Sequence, residues 1–211
     1  MLETKTSSFE LDISGPLRKA YIKNRYGSIE LSDVSEETSI AGSYNRVEVA
    51  ELQGDLEIET SYNSISAEDV DTKGKRAFIK TSYGNIELEN FSGQLEAYTV
   101  YSPIYASNIT LLGGRNEIKT VYSKVKLELE GLEEAKLYVY NSYGNVDLAV
   151  PTDLSARLTL TVGRGGKINT DGILIKPQVL EKTKLKGICG DGDSEIEVDI
   201  SGIGKILLEG R

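Results

Sequence analysis

The chain has 211 residues, a net charge of −9, and neither histidine nor tryptophan. The missing histidine excludes Ser-His-Asp triads, Cys-His dyads and histidine-ligated zinc sites. The acidic balance argues against a nucleic-acid partner, which requires a basic stripe, and against docking on an anionic lipid surface. Cys189 is the single cysteine, so no intrachain disulfide forms, and we expect a buried, inert thiol.

Residues 1–20 precede the repetitive part of the chain and are predicted to form an N-terminal cap. Within them, Phe9, Leu11 and Ile13 alternate with other residues in the pattern of a short strand. This segment lacks the basic start and apolar run of a signal peptide, and no stretch of the chain is apolar enough for membrane insertion. The residues alone therefore fit either a cytoplasmic protein or a mature domain whose export or anchor segment lies outside this chain.

Residues 21–171 repeat one phrase, in which a tyrosine is followed by a turn-forming residue, a polar residue and then Ile or Val. The steps between successive repeat tyrosines are 18 or 21 residues. A fixed period of this size indicates a repeat architecture. The seven repeat tyrosines are Tyr26, Tyr44, Tyr62, Tyr83, Tyr101, Tyr122 and Tyr143.

Apolar residues form columns when the repeats are aligned on the tyrosine, and they alternate with polar residues as in half-buried strands. Propeller blades need about 40 residues each, whereas one solenoid coil needs about half of that. We therefore predict an all-β fold, a single parallel β-solenoid domain over residues 1–211 with coils of about 18–21 residues. A left-handed hexapeptide helix lacks support because no six-residue apolar period is present, so we favour a right-handed coil.

Corners of the predicted coil follow each tyrosine, and a second set lies at Gly54, Gly74, Gly93, Gly114 and Gly131. Five of the seven residues that follow the tyrosines are Gly or Asn, which suit a left-handed backbone conformation. The column two residues before the tyrosine is mostly Thr or Asn and is predicted to form an internal polar ladder. By the same alternation the tyrosines share the inward face, so we expect them to pack as corner residues of the core.

The column three residues before the tyrosine is predicted to point outward. In it, Lys80 lies between Glu59 and Tyr98, and Lys119 lies between Tyr98 and Tyr140, so we expect salt-bridge and cation–π contacts between coils. Three outward tyrosines that do not follow the main repeat, Tyr98, Tyr105 and Tyr140, are candidates for surface contact with a partner.

Residues 172–211 depart from the regular coils and are predicted to contain an excursion over the C-terminal end, followed by final coils. The glycine-rich segments at 163–166 and 202–204 resemble phosphate loops but do not complete a nucleotide motif, so we interpret them as corners of further coils. Because solenoid ends expose open strand edges, oligomers through the ends are a further possibility.

Asp191, Asp193 and Glu195 are the best metal candidates, because alternating acidic residues in a glycine-containing loop offer oxygen ligands for calcium. The spacing is not that of an EF-hand loop, and a polar turn before a strand explains it equally well. Elsewhere, paired carboxylates such as Glu30 and Glu48 are more typical of a solvated surface than of a glycosidase pair. We therefore predict no catalytic residues and no cofactor, with calcium as the one alternative.

The repeated Tyr-Gly-Asn-Ile-Glu-Leu phrase, the Val150-Pro151 step and the late glycine-rich coils resemble a bacterial adhesin-like family over roughly residues 20–211. That family is a domain of unknown function that folds as a repetitive parallel β-solenoid, often attached to the cell envelope. The resemblance implies a non-enzymatic binding or scaffold module at the envelope, with a protein or carbohydrate surface ligand. The alternative is a solenoid that binds or processes polysaccharide, with or without calcium.

Overall fold

A computed structural model describes all residues, 1–211, as an all-β chain of 17 strands joined by bends and turns. The strands are β1 (Leu2–Thr6), β2 (Leu11–Ile13), β3 (Leu17–Gln53), β4 (Asp55–Glu59), β5 (Ile65–Lys80), β6 (Ile86–Tyr98), β7 (Ile104–Leu112), β8 (Arg115–Thr120), β9 (Val125–Glu133), β10 (Lys136–Asn141), β11 (Val146–Val150), β12 (Ala156–Val162), β13 (Lys167–Asp171), β14 (Lys176–Glu181), β15 (Lys184–Cys189), β16 (Ser194–Ile200) and β17 (Lys205–Gly210). The longest of them, β3, β5 and β6, run through corners of the coil.

Equivalent residues of successive coils pair in parallel, which confirms the predicted β-solenoid. On the side of the coil that precedes the tyrosine, Leu56 pairs with Ala77, and Ala77 pairs with Leu95. On the side that follows it, Ile86 pairs with Ile104, and Ile104 pairs with Val125. Identical positions therefore stack one strand spacing apart, about 4.8 Å, which explains the apolar columns of the sequence.

Five of the seven coils, those of Tyr26 to Tyr101, have a third corner that was not predicted from the sequence, seven residues after the tyrosine. Its residue is not glycine but has a positive φ, for example 60° at Asp33 and 54° at Asn90. Asp and Asn tolerate this left-handed conformation better than most residues. Of the five Gly and Asn residues that directly follow the tyrosines, Gly27 and Gly144 have the expected positive φ, whereas the prediction was wrong for Asn45, Asn63 and Gly84.

Four of the five glycines in the other predicted corner set have positive φ, with 88° at Gly54, 75° at Gly74, 138° at Gly93 and 58° at Gly114, whereas Gly131 does not. At Gly54 the backbone of the preceding coil is so close that an added Cβ would lie 2.0 Å from the carbonyl oxygen of Glu36. Corners and strand sides together enclose one continuous core of 47 buried residues.

The internal polar ladder is confirmed, and it ties each coil to the one before it. The hydroxyls of Thr81, Thr99 and Thr120 donate to the carbonyl oxygens of the corner residues in the preceding coils at 3.2–3.3 Å. The amide of Asn141 does the same at 2.6 Å. The donor groups of these buried polar side chains therefore all have hydrogen-bond acceptors.

One coil departs from the polar ladder, because Gly42 stands where the other coils have Thr or Asn. The side chain of Asn45 occupies the vacant interior space, fully buried, and both of its amide atoms lack a hydrogen-bond partner. A Cβ at Gly42 would lie 2.0 Å from the Asn45 Oδ1 atom, so the two residues are sterically coupled.

The N-terminal segment 1–20, assigned to a cap from the sequence, contains the first coil of the solenoid. Strand β1 pairs in parallel with β3 from Leu2↔Ala20 to Thr6↔Asn24, and β2 pairs with β3 from Leu11↔Ile29. Strands β1 and β2 pair only with β3, so their other edges have no partner strand within the chain.

The C-terminal segment is threaded into the solenoid rather than added to its end. Strand β16 lies between β10 and β12 and pairs in parallel with both, and β17 lies in the same way between β11 and β13. Before this insertion, β14 and β15 form an antiparallel hairpin whose second strand covers the outer edge of β12. The excursion therefore covers the C-terminal end of the solenoid. The last 18 residues of the chain form the coil that lies between the coil of β10 and β11 and the coil of β12 and β13.

The structure has no helix with the length and hydrophobicity to span a membrane.

Candidate functional site

The seven repeat tyrosines form a continuous stack on the outside of the solenoid. Successive rings are 4.5–5.7 Å apart between centroids and lie within 16° of parallel. Their side chains are 40–56% exposed. The prediction that they pack inside the core was therefore wrong, although each ring does pack against its neighbours in the adjacent coils.

In five of the seven coils the bend begins at the residue before the tyrosine and extends to the residue after it, so the chain has left strand geometry when it reaches the tyrosine. Strand β4 ends at Glu59, β5 ends at Lys80, and the bends that follow include Tyr62 and Tyr83. The Tyr83 amide donates to the Ser61 carbonyl oxygen at 2.9 Å, and the inward position is already filled by the threonine ladder. Alternation extrapolated from the strand into the bend consequently assigned these side chains to the wrong side.

Together these corners form a surface that we call the tyrosine ridge, defined by each tyrosine with the residue before it and the two after it. The ridge comprises residues 25–28, 43–46, 61–64, 82–85, 100–103, 121–124 and 142–145. Of its 28 residues, 22 are Tyr, Ser, Asn or Gly, and none is Asp or Glu, although the chain has 33 acidic residues. The ridge is thus an aromatic and hydroxyl-rich line without acidic residues on an acidic protein.

Tyr98 and Tyr140 lie on the strand side that precedes the ridge. Lys119 pairs with both positions, and its ammonium lies 5.7 Å from the centroid of the Tyr98 ring. Burial, with the nearby charges of Glu96 and Glu117, raises the pKa of Tyr98 to about 12. The expected contact between Lys80 and Glu59 is also present, at 3.2 Å. These are contacts between coils that stabilise the sheet surface.

Tyr105 lies on the other side of the ridge, so the structure does not bring the three candidate contact tyrosines together. Its strand neighbours are Glu87 and Lys126. Glu68, Glu87 and Glu89 line a shallow depression beside it, on a strand side where acidic residues predominate. The role of Tyr98, Tyr105 and Tyr140 in binding stays a prediction, to be compared with that of the ridge.

Two of the three metal candidates, Asp193 and Glu195, have other side-chain partners in the structure, and at Asp191 the backbone amide donates to the Ser155 hydroxyl at 3.1 Å. The Asp193 carboxylate accepts a hydrogen bond from the Ser155 hydroxyl at 2.6 Å, and Glu195 pairs with Lys136 at 3.3 Å. No group of three or more His, Cys, Asp or Glu side chains is arranged to hold a metal ion.

The single thiol matches its prediction. Cys189 is 1% exposed at the end of β15, and burial raises its pKa above the usual range. A thiol with a raised pKa is a poor nucleophile at neutral pH, because the thiolate is the reactive form.

A family model described as Toastrack DUF4097 matches residues 1–171. The match ends with β13, so the threaded strands β16 and β17 lie outside it. No curated protein and no solved structure matches the chain.

Proposed function

The chain belongs to the Toastrack family, a family of unknown function, and on that premise we propose that it is a non-enzymatic binding module that acts as a rigid scaffold. The observation that supports this function best is the tyrosine ridge. Seven aromatic side chains stand in one exposed line on a surface held by backbone hydrogen bonds at every corner.

The composition of the ridge favours recognition over mere packing. Tyr, Ser, Gly and Asn dominate antibody-type binding surfaces, because tyrosine supplies contact area at low entropic cost and the small polar residues supply adaptable hydrogen bonds. Contiguous exposed aromatic surface on a soluble domain usually marks an interaction site. Since the stack holds each ring in place before binding, little side-chain freedom is lost when a partner docks.

We place this module at the bacterial cell envelope, as the resemblance to adhesin-like domains implies. The net charge of −9 is consistent with a partner that is neither a nucleic acid nor an anionic lipid surface. The partner is a surface ligand, protein or carbohydrate, contacted by the ridge.

The test is co-sedimentation with insoluble bacterial cell-wall material stripped of protein. The variant Tyr62→Ser/Tyr83→Ser/Tyr101→Ser removes the centre of the ridge, and we expect its affinity to fall at least tenfold. The matched control is Tyr98→Ser/Tyr105→Ser/Tyr140→Ser, which removes the same number of tyrosines from the strand sides and should bind like the wild type.

Circular dichroism of both variants verifies that they are folded at the assay temperature. Loss of binding in the control with retention in the ridge variant would move the contact surface to the strand sides. Equal binding by all three proteins would show that the ridge is not the contact surface.

A further inference from the structure

We propose that the tyrosine ridge binds an uncharged, linear polysaccharide that lies lengthwise across its seven rungs. This inference rests on the proposed binding function and specifies the chemistry of the ligand. It follows from which parts of the rings are free, from the charge of the ridge and from its shape.

The ring faces of the seven repeat tyrosines are covered by the neighbouring tyrosine rings. With neighbouring rings 4.5–5.7 Å apart and nearly parallel, a ligand reaches only their edges and phenol oxygens. The phenol hydroxyls of Tyr98 and Tyr140 form hydrogen bonds within the protein, whereas those of the seven repeat tyrosines form none. The ridge therefore presents a row of free hydroxyl groups, which fits a partner that is itself rich in hydroxyl groups.

Two of the three cations of the ridge are neutralised by neighbouring carboxylates. Its cations Arg46 and Lys124 are already paired with carboxylates outside it, Lys124 with Asp147 at 2.8 Å and Arg46 with Glu48. Only Arg25, at the N-terminal end, is without such a partner, and its guanidinium lies 5.2 Å from the centroid of the Tyr26 ring. A neutral polymer neither competes with these pairs nor meets an unpaired carboxylate, whereas the depression beside Tyr105 is acidic.

The shape of the ridge selects a linear partner. It is a convex edge, about 30 Å long over the six strand spacings between its seven rungs, and one coil corner wide. A specific protein interface covers about 800 Å² on each partner, much more than such a strip offers. Three surface depressions lie on the strand sides, between outward-pointing residues such as Glu68 and Glu87, and no ridge residue lines them.

Because every rung presents a tyrosine, each further sugar unit of a bound chain can contact the next rung. The translational and rotational entropy of association is lost only once, when the first unit binds. Affinity is therefore expected to rise with the length of the oligosaccharide and to level off when it spans the ridge. Since no formal charge is involved, binding should change little with salt.

Tyrosine fluorescence reports the interaction directly, because the chain has no tryptophan and seven of its 12 tyrosines belong to the ladder. The probes are neutral oligosaccharides, namely β-linked glucose, N-acetylglucosamine and mannose series from dimer to octamer. Oligogalacturonides of equal length are the charged control. We expect at least one neutral series to bind, with its hexamer at least tenfold tighter than its dimer.

The same titration is repeated with the two triple variants. Binding should disappear in Tyr62→Ser/Tyr83→Ser/Tyr101→Ser and persist in Tyr98→Ser/Tyr105→Ser/Tyr140→Ser. Tighter binding of the galacturonides, no dependence on length, or no binding by any neutral series would overturn the polysaccharide assignment. If cell-wall binding still required the ridge, the proposed function would stand with another ligand; if it did not, both proposals would fail.

Discussion

Replacement of one tyrosine in the middle of the tyrosine stack tests whether these exposed rings stabilise the fold. Tyr83 is 51% exposed, and its ring stacks on Tyr62 at 5.0 Å and on Tyr101 at 4.8 Å. In the variant Tyr83→Ala both neighbours lose a stacking partner. In Tyr83→Phe the stack remains, and only a phenol hydroxyl without a protein partner is lost.

The covered half of the Tyr83 side chain corresponds to about 100 Å² of surface, or about 2.5 kcal/mol at 25 cal/mol/Å². Relaxation of the neighbouring rings and residual contacts in the unfolded chain reduce this value. We therefore expect Tyr83→Ala to lower the free energy of unfolding by about 2 kcal/mol and Tyr83→Phe to change it by less than about 0.5 kcal/mol.

Chemical denaturation followed by circular dichroism measures both variants, and a double-mutant cycle separates stacking from simple burial. Tyr83→Ala combined with Tyr62→Ala should show a coupling energy of about 1 kcal/mol, the scale of an aromatic pair. Tyr83→Ala combined with Tyr143→Ala, three rungs away, should be additive. A loss below about 0.5 kcal/mol for Tyr83→Ala, or equal coupling in both cycles, would refute the view that the rings support one another.

Further predictions concern the corners, the polar ladder and the threaded strand. Gly54→Ala should be much more destabilising than Gly74→Ala in urea denaturation. Both positions have positive φ, which costs alanine about 1–2 kcal/mol, but only at Gly54 would the added Cβ lie 2.0 Å from a backbone carbonyl oxygen of the preceding coil. Equal losses of stability in the two variants would contradict this clash. Gly42→Thr should destabilise the fold, because the added Cβ would lie 2.0 Å from the Asn45 Oδ1 atom and 2.5 Å from the Asn24 carbonyl oxygen. Gly42→Thr/Asn45→Ser should recover only the part of this loss that is due to Asn45, whose two buried amide atoms lack partners, and full recovery of the wild-type stability would show that the backbone contact relaxes without cost. Burial raises the pKa of Asp199, so its contribution to stability is greatest below the ordinary aspartate pKa and is lost as pH rises through the raised value. Asp199→Asn should accordingly raise the melting temperature at neutral pH by up to about 4 °C and leave it unchanged in acid; an equal gain at both pH values would show that ionisation is not the cause.

The coil and its inner surface were predictable, because stacking makes neighbours of residues one period apart. The apolar columns and the Thr or Asn column recur every 18 or 21 residues, and the structure places both inside the coil. In a parallel solenoid like residues contact like residues, so a periodic sequence specifies the register of every strand.

The direction of the tyrosines was not predictable from alternation, since alternation holds only while the backbone is extended. The chain leaves strand geometry between Thr81 and Tyr83, and the parity of the strand carries no information beyond that point. A better signal was the composition around the tyrosines. Small polar residues on both sides and the complete lack of acidic residues are unusual for a core segment and typical of an exposed turn.

The third corner had a signal that could have been recognised. Asp33, Glu51, Asp69, Asn90 and Asn108 recur seven residues after successive tyrosines. Three of them also contact one another across coils, because the Asn90 amide donates to the Asp69 carboxylate at 2.9 Å and the Asn108 amide donates to the Asn90 amide oxygen at 3.0 Å. A periodic Asp or Asn before an apolar residue therefore predicts a left-handed corner.

The threading of the C-terminal strands could not be read from the sequence. Ile196 and Val198 alternate with charged residues as any strand of this protein does, so the pattern predicts a strand but not its neighbours. Their partners in β10 lie 59 residues earlier in the chain, at Leu137 and Val139. Only the pairing within the folded protein shows that this strand fills a gap between β10 and β12.

The most direct test of the central claim, that the tyrosine ridge is the contact surface, is to follow the ring signals of all 12 tyrosines by NMR during titration with solubilised cell-wall polysaccharide. Seven of these rings form the ladder, and five do not: Tyr21, Tyr98, Tyr105, Tyr138 and Tyr140. The account predicts that the signals of the seven ladder rings shift together with ligand concentration, while those of the other five stay in place. Shifts confined to Tyr98, Tyr105 and Tyr140, with an unchanged ladder, would contradict it.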